Sequence, residues 1–222
     1  MGSGNAVETL ERKLVEHCSP AIAGLKPANM FSVRLTCAEC SGDYACASLS
    51  SVAFLSALAC CRARLEGEGL RLGVLAFREK SVLLLVYRPV LLAKALGEPR
   101  AAAFLASIGY APSDVDAAVE LLSRRVCRAD RLSGEERTCA FPHEVGLFLG
   151  YPFEDVMGFI ENDGQGAVAS GCWRVYSRER DAAECFCRYK ECTRECEMRY
   201  EAGMAIEELA SLGKLEAMRQ AA

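Results

Sequence analysis

The chain has 222 residues and a net charge of −4, with 51% hydrophobic and 25% charged residues. That is ordinary usage for a globular protein long enough to bury a substantial core. The acidic balance excludes nucleic acid as the expected partner, and no apolar run reaches the length a bilayer demands.

In chain order, Val7, Leu10, Leu14 and Cys18 recur at helical spacing. Asn5 and Glu8 form the capping pair of that helix, and Pro20 is its expected stop. A connection over 21–29 contains Gly24-Leu25-Lys26-Pro27 and leads into a strand over 30–35. After a polar loop, 36–43, residues 45–66 read as a long helix closed by Gly67 and Gly69. The apolar runs 71–77 and 81–87 flank the polar triplet Arg78-Glu79-Lys80, the signature of an antiparallel hairpin.

Helices are expected over 90–96, 100–108 and 112–126, then a polar surface loop over 130–138. Two short helices, 142–149 and 152–161, each carry proline in the first turn. A last strand spans 171–176, and from 178 onward the pattern is helical, broken near Gly203. The strands are too unevenly spaced for a regular βαβ alternation. The fold class read from this order is α+β: a small mixed or antiparallel sheet covered by helices, with a helical C-terminal end. Residues 1–177 form the α+β domain and 178–222 a helical segment packed on it.

Thirteen cysteines in a chain with no export signal imply free thiols and a cytoplasmic location. Cys37 and Cys40 form a CxxC, with Cys46 beyond it, and are the candidate metal or redox ligands. A zinc site needs four ligands, and no second CxxC or matched histidine pair is present. Cys60 and Cys61 read as packing, and Cys185, Cys192 and Cys196 as a core seam.

The two histidines fall in the two motifs richest in chemistry. In Phe141-Pro142-His143-Glu144-Val145-Gly146, proline opens a helix whose dipole keeps His143 neutral and stabilises the Glu144 carboxylate. A neutral imidazole beside a carboxylate suits a general base or metal ligand, so His143 and Glu144 are the candidate catalytic pair. Gly146 within a helix points to a close approach, and Tyr151 closes the block. The competing reading is a capped helix whose histidine satisfies a carbonyl. In His17-Cys18-Ser19-Pro20 a helix C-terminus disfavours thiolate, so Cys18 reads as core. His17 and Lys26 are candidate ligand contacts, joined by Gly146 and Tyr151.

These blocks, with Leu85-Val86-Tyr87-Arg88, Glu154-Asp155-Val156, Gly158-Phe159-Ile160 and Trp173-Arg174-Val175-Tyr176, resemble domain-of-unknown-function family 3793 of anaerobic Gram-positive bacteria. The resemblance runs from about Leu10 to Tyr200 and is most specific over 141–162. It implies no established activity. A flavodoxin gene often lies near those of the family, which makes a flavodoxin a candidate protein partner and hints at electron transfer. The extra thiols at Cys37, Cys40 and Cys46 lie outside the shared blocks.

Two functional readings follow. One is a binding protein for a small molecule or protein partner, with its pocket around the FPHEVGLFLGYP block. The other is an enzyme, or a redox or metal accessory linked to a flavodoxin, that uses His143 and Glu144. No complete triad, metal quartet or nucleotide loop can be assembled, which favours the first and leaves the cofactor unassigned.

Overall fold

A computed structural model of the chain describes residues 3–35, 50–131 and 141–221. Helix α1 (Ser3–Ile22) buries Leu10, Leu14 and Cys18 completely, as their spacing requires. Asn5 lies inside this helix rather than at its cap. Pro20 does not end it, because one missing N–H near the last turn orphans only the carbonyl of exposed Glu16, which water can serve. The helix stops instead at Gly24, whose φ of 72° places it in the left-handed region. There Leu25 N–H donates to Pro20 O (2.8 Å) and Gly24 N–H to Ala21 O (3.2 Å), the Schellman pattern.

Strand β1 (Ala28–Arg34) follows, beginning two residues before the expected start. Helix α2 (Ser51–Glu66) opens at Ser50, whose hydroxyl accepts from Ala53 N–H (3.3 Å). Residues 45–49 of the expected helix lie outside the described residues. Strands β2 (Arg71–Arg78) and β3 (Ser81–Tyr87) form the expected hairpin. Among the described residues these make a three-stranded antiparallel sheet in the order β1-β3-β2.

The central strand explains the layering. Val82, Leu84 and Val86 enter one core and Leu83, Leu85 and Tyr87 the other, so β3 is apolar at nearly every position. The first core is closed by α1, α2, α8 (Glu179–Glu201) and α9 (Ile206–Ala221), the helical run after Arg178 broken at Gly203. Cys61, Cys192 and Cys196 sit in that core as expected, but Cys185 of the expected seam is only half-buried and lies outside it, and Cys60, read as packing, is exposed on a helix face turned away from the core. The second core is closed by α3 (Pro89–Leu96), α4 (Pro99–Ser107), α5 (Val115–Arg131), α6 (Val145–Phe148) and α7 (Phe153–Glu161). Helix α5 starts three residues after the expected proline because Asp114 caps it, accepting from Ala117 N–H at 3.0 Å.

Two further elements differ from expectation. The helix expected over 142–149 is four residues long, preceded by tight turns in which Val145 N–H reaches Pro142 O and Gly146 N–H reaches His143 O, both at 3.1 Å. It ends at Gly150, where φ is 73° and the chain passes directly against the Pro27 ring. The strand expected over 171–176 is a two-residue ladder between β4 (Ala169–Ser170) and β5 (Arg174–Val175). The N–H groups beyond it, of Tyr176 and Ser177, bond the Asp155 carboxylate instead of a neighbouring strand.

Arg88 fastens the layers where β3 meets α3. Its side chain is 2% exposed and donates to the carbonyls of Ala21 and Ile22 at the end of α1, Ala210 in α9 and Glu68 after α2. A guanidinium meets the unpaired carbonyls of a helix end well, in number and in charge.

Candidate functional site

The block 141–152 forms a wall shared by three cavities. His143 lines the first two, and Tyr151 the second and third. Its short turns expose successive side chains to different neighbours, which a longer helix would have arranged in one stripe.

The first cavity, about 500 Å³, brings His143 and Glu144 together with Arg125 and Arg128 of α5. Glu144 is 7% exposed and fully engaged at Oε1, which accepts from Arg125 Nη1 (2.7 Å) and the Tyr110 hydroxyl (3.0 Å). Burial and the adjacent Glu144 charge push the Tyr110 phenol far up, so it stays a donor. The His143 ring rests against Phe159, centroids 4.8 Å apart, and near Phe141 at 6.3 Å. Neither histidine nor glutamate owes its setting to a helix dipole, since α6 has four residues and begins after both.

The second cavity, about 300 Å³, lies between this block, α7 and the β4-β5 hairpin. Val145, Val156, Phe159, Tyr151 and Trp173 give it apolar walls, and His143 and Arg174 contribute polar groups. Gly146 belongs to it: a Cβ there would stand 2.8 Å from Val156 and 3.2 Å from Tyr151, so the close approach expected at this position is made by side chains. Asp155 organises the far wall. It is 2% exposed, takes the Trp173 indole N–H on Oδ2 (2.7 Å), and takes Tyr176 N–H, Ser177 N–H and the Ser177 hydroxyl on Oδ1. Trp173 then stacks on Tyr151, centroids 5.0 Å apart, with Phe186 of α8 edge-on behind it at 4.5 Å.

The third cavity, about 370 Å³, opens between the end of α1 and α8 and is lined by His17, Lys26 and Tyr151. The structure thus gathers three of the four expected ligand contacts here, while Gly146 belongs to the second cavity. Lys26 is 5% exposed, and its ammonium lies over the Tyr151 ring at 5.2 Å and the Tyr189 ring at 5.4 Å. Burial pulls it down to about 8, and nearby thiols offset this only in part. Burial likewise pushes Tyr151 up to about 12. His17 packs on Phe31, centroids 5.3 Å apart, and lines a different cavity from His143. Cys18 is wholly buried and its thiol is driven far up by that burial, the setting of an inert core cysteine.

Residues 14–210 match the family described as protein of unknown function (DUF3793). The chain belongs to this family. No curated protein and no solved structure matches it. The match spans all three cavities of this DUF3793 chain, from His17 to Glu197. Cys37 and Cys40, the candidate metal ligands, lie outside the described residues, among which no group of three metal-ligating side chains occurs. The nine described cysteines are free. No helix among the described residues is long and apolar enough to cross a membrane.

Sequence reasoning missed Asp155, Arg125 and Tyr189 as shapers of these cavities. Asp155 carried a signal: an acid inside a family block, two residues from an apolar helix stripe. Arg125 and Tyr189 carried none, because their roles depend on contacts with Glu144 and Lys26, far from them in the chain.

Proposed function

We propose that this DUF3793 protein binds a small apolar-bodied molecule in the cavity between the 141–152 block and the β4-β5 hairpin. The observation that carries this is the cavity's construction: aromatic and aliphatic walls, a few polar groups, and supports already locked in place. Pockets for small ligands have that composition, and about 300 Å³ lies at the small end of their range. Both Asp155 oxygens accept from the hairpin and the two residues after it, so it holds Trp173 in position and leaves His143, and the Arg174 nitrogens other than the Nη1 bonded to Gly164 O, to meet the ligand's polar atoms.

A binding role also accounts better for His143 than acid–base chemistry does. Glu144 Oε1 already accepts from Arg125 and Tyr110, and among the described residues no hydrogen bond joins Glu144 to His143. His143 in this reading contributes one polar contact and an aromatic face.

Trp173 is the single tryptophan, so its indole N–H gives one unambiguous NMR signal. A screen of small ring compounds, free flavin included, should yield binders that shift this signal saturably. Ser170→Phe, at an exposed position of the cavity mouth, should weaken them about tenfold or more without unfolding the protein. His143→Ala should weaken binders that carry a polar group and cost little stability. Binders that move the signal equally in Ser170→Phe, or no binders at all, would sink the proposal.

A further inference from the structure

The third cavity stands apart from the one proposed above, and its chemistry is of a different kind. Lys26 is 5% exposed, forms no ion pair among the described residues, and sets its ammonium against the faces of Tyr151 and Tyr189 where the cavity opens onto it. Its stem is not a loose surface tether. The Schellman turn at Gly24 fixes the chain just before it, and the contact of Pro27 with Gly150 fixes the chain just after.

Two further cations complete the setting. Lys190 and Arg194, one turn apart on α8, line the same cavity, and neither has an ion pair among the described residues. The single carboxylate in the lining is Glu197, so positive charge is in excess. Like charges that converge on one cavity repel one another, and an anion seated among them supplies both the opposite charge and the acceptors for their N–H groups.

We propose that this cavity is an anion site, in which Lys26 at the base and Lys190 and Arg194 at the rim hold the oxyanion group, carboxylate or phosphate, of a small molecule. An oxyanion seated on Lys26 would accept from the donors that the tyrosine rings cannot satisfy. His17, in the same lining, offers a ring N–H to the same group.

The test uses the full chain and two probes, benzoate and inorganic phosphate, followed by calorimetric titration. At least one should bind, and which one does distinguishes carboxylate from phosphate recognition. Lys26→Met, which keeps the unbranched stem and removes the ammonium, should weaken binding about tenfold or more. The exposed pair Lys190→Gln and Arg194→Gln should weaken it several-fold with the fold unchanged. As a second readout, the bound probe should protect Lys26 of the wild-type chain from acetylation, read by mass spectrometry. The proposal is overturned if neither anion binds, or if Lys26→Met binds as the wild type does. Should that variant not fold, absence of protection in the wild type overturns it equally.

Discussion

Lys26 concentrates the energetics of the site in one side chain. An amine lowered from 10.5 to about 8 by burial destabilises the folded state wherever both states carry the proton, below about pH 8. Between pH 8 and 10.5 the folded protein releases that proton while the unfolded chain keeps it, so stability rises with pH over this window. Buried tyrosines and thiols such as Cys18, held up by burial, work in the opposite direction above pH 9. The difference between wild type and Lys26→Met isolates the lysine. In urea denaturation the variant should be more stable by roughly 3 kcal/mol at pH 7, an advantage lost by pH 10.5. An advantage that does not depend on pH would show that the amine is not the group under strain.

At the scale of elements, two contacts hold pieces that their own hydrogen bonding could not. The β4-β5 ladder is two residues long, and the Asp155 carboxylate replaces the missing strand partner. Asp155→Ala should therefore cost about 1–3 kcal/mol per buried donor left unmet and shift Trp173 emission towards that of a solvated indole. Retention of the native emission would mean that the hairpin stands on its own packing. Helix α9 meets the end of α1 at Gly213, where a Cβ would fall 2.0 Å from the Ile22 carbonyl oxygen. Gly213→Ala should destabilise by about 1–3 kcal/mol, since backbone on both sides must move. Gly67, with φ of −58° and open space around it, is the matched control. Gly67→Ala should leave stability unchanged or raise it by about 0.4–1 kcal/mol.

For the whole molecule, Arg88 is the joint. It ties the end of α1, the turn after α2 and helix α9 to the end of the central strand through carbonyl contacts of 2.5–2.9 Å. Arg88→Leu removes the donor from four carbonyls in a buried place, and a loss of about 3–5 kcal/mol is expected in urea denaturation. Because the contacts join three elements of the first helical layer to the end of the central strand and the start of α3, the loss should appear as one cooperative transition at lower denaturant. A separate early transition of the C-terminal helices would show instead that Arg88 fastens α9 alone. The same joint brings Gly24-Leu25-Lys26-Pro27 to Gly150-Tyr151, and so sets the wall between the second and third cavities.

The sequence by itself determined the local order of this protein. Period-2 and period-3.6 patterns are written by neighbours, so the β2-β3 hairpin, the apolar stripe of α1 and the break at Gly203 were legible residue by residue. The family block around His143 and Tyr151 was legible too, as was the buried state of Cys18, Cys192 and Cys196. Where the reading failed, a distant partner had replaced a local rule. Asp155 shortened the last strand, while after Pro142 tight turns took the place of the first helical turn. Only the tertiary structure decided which motif faces which cavity. It placed the two histidines in different cavities, engaged Glu144 with Arg125, and left Lys26 between two tyrosines. Those outcomes depend on contacts between residues far apart in the chain, whose energies no local pattern encodes.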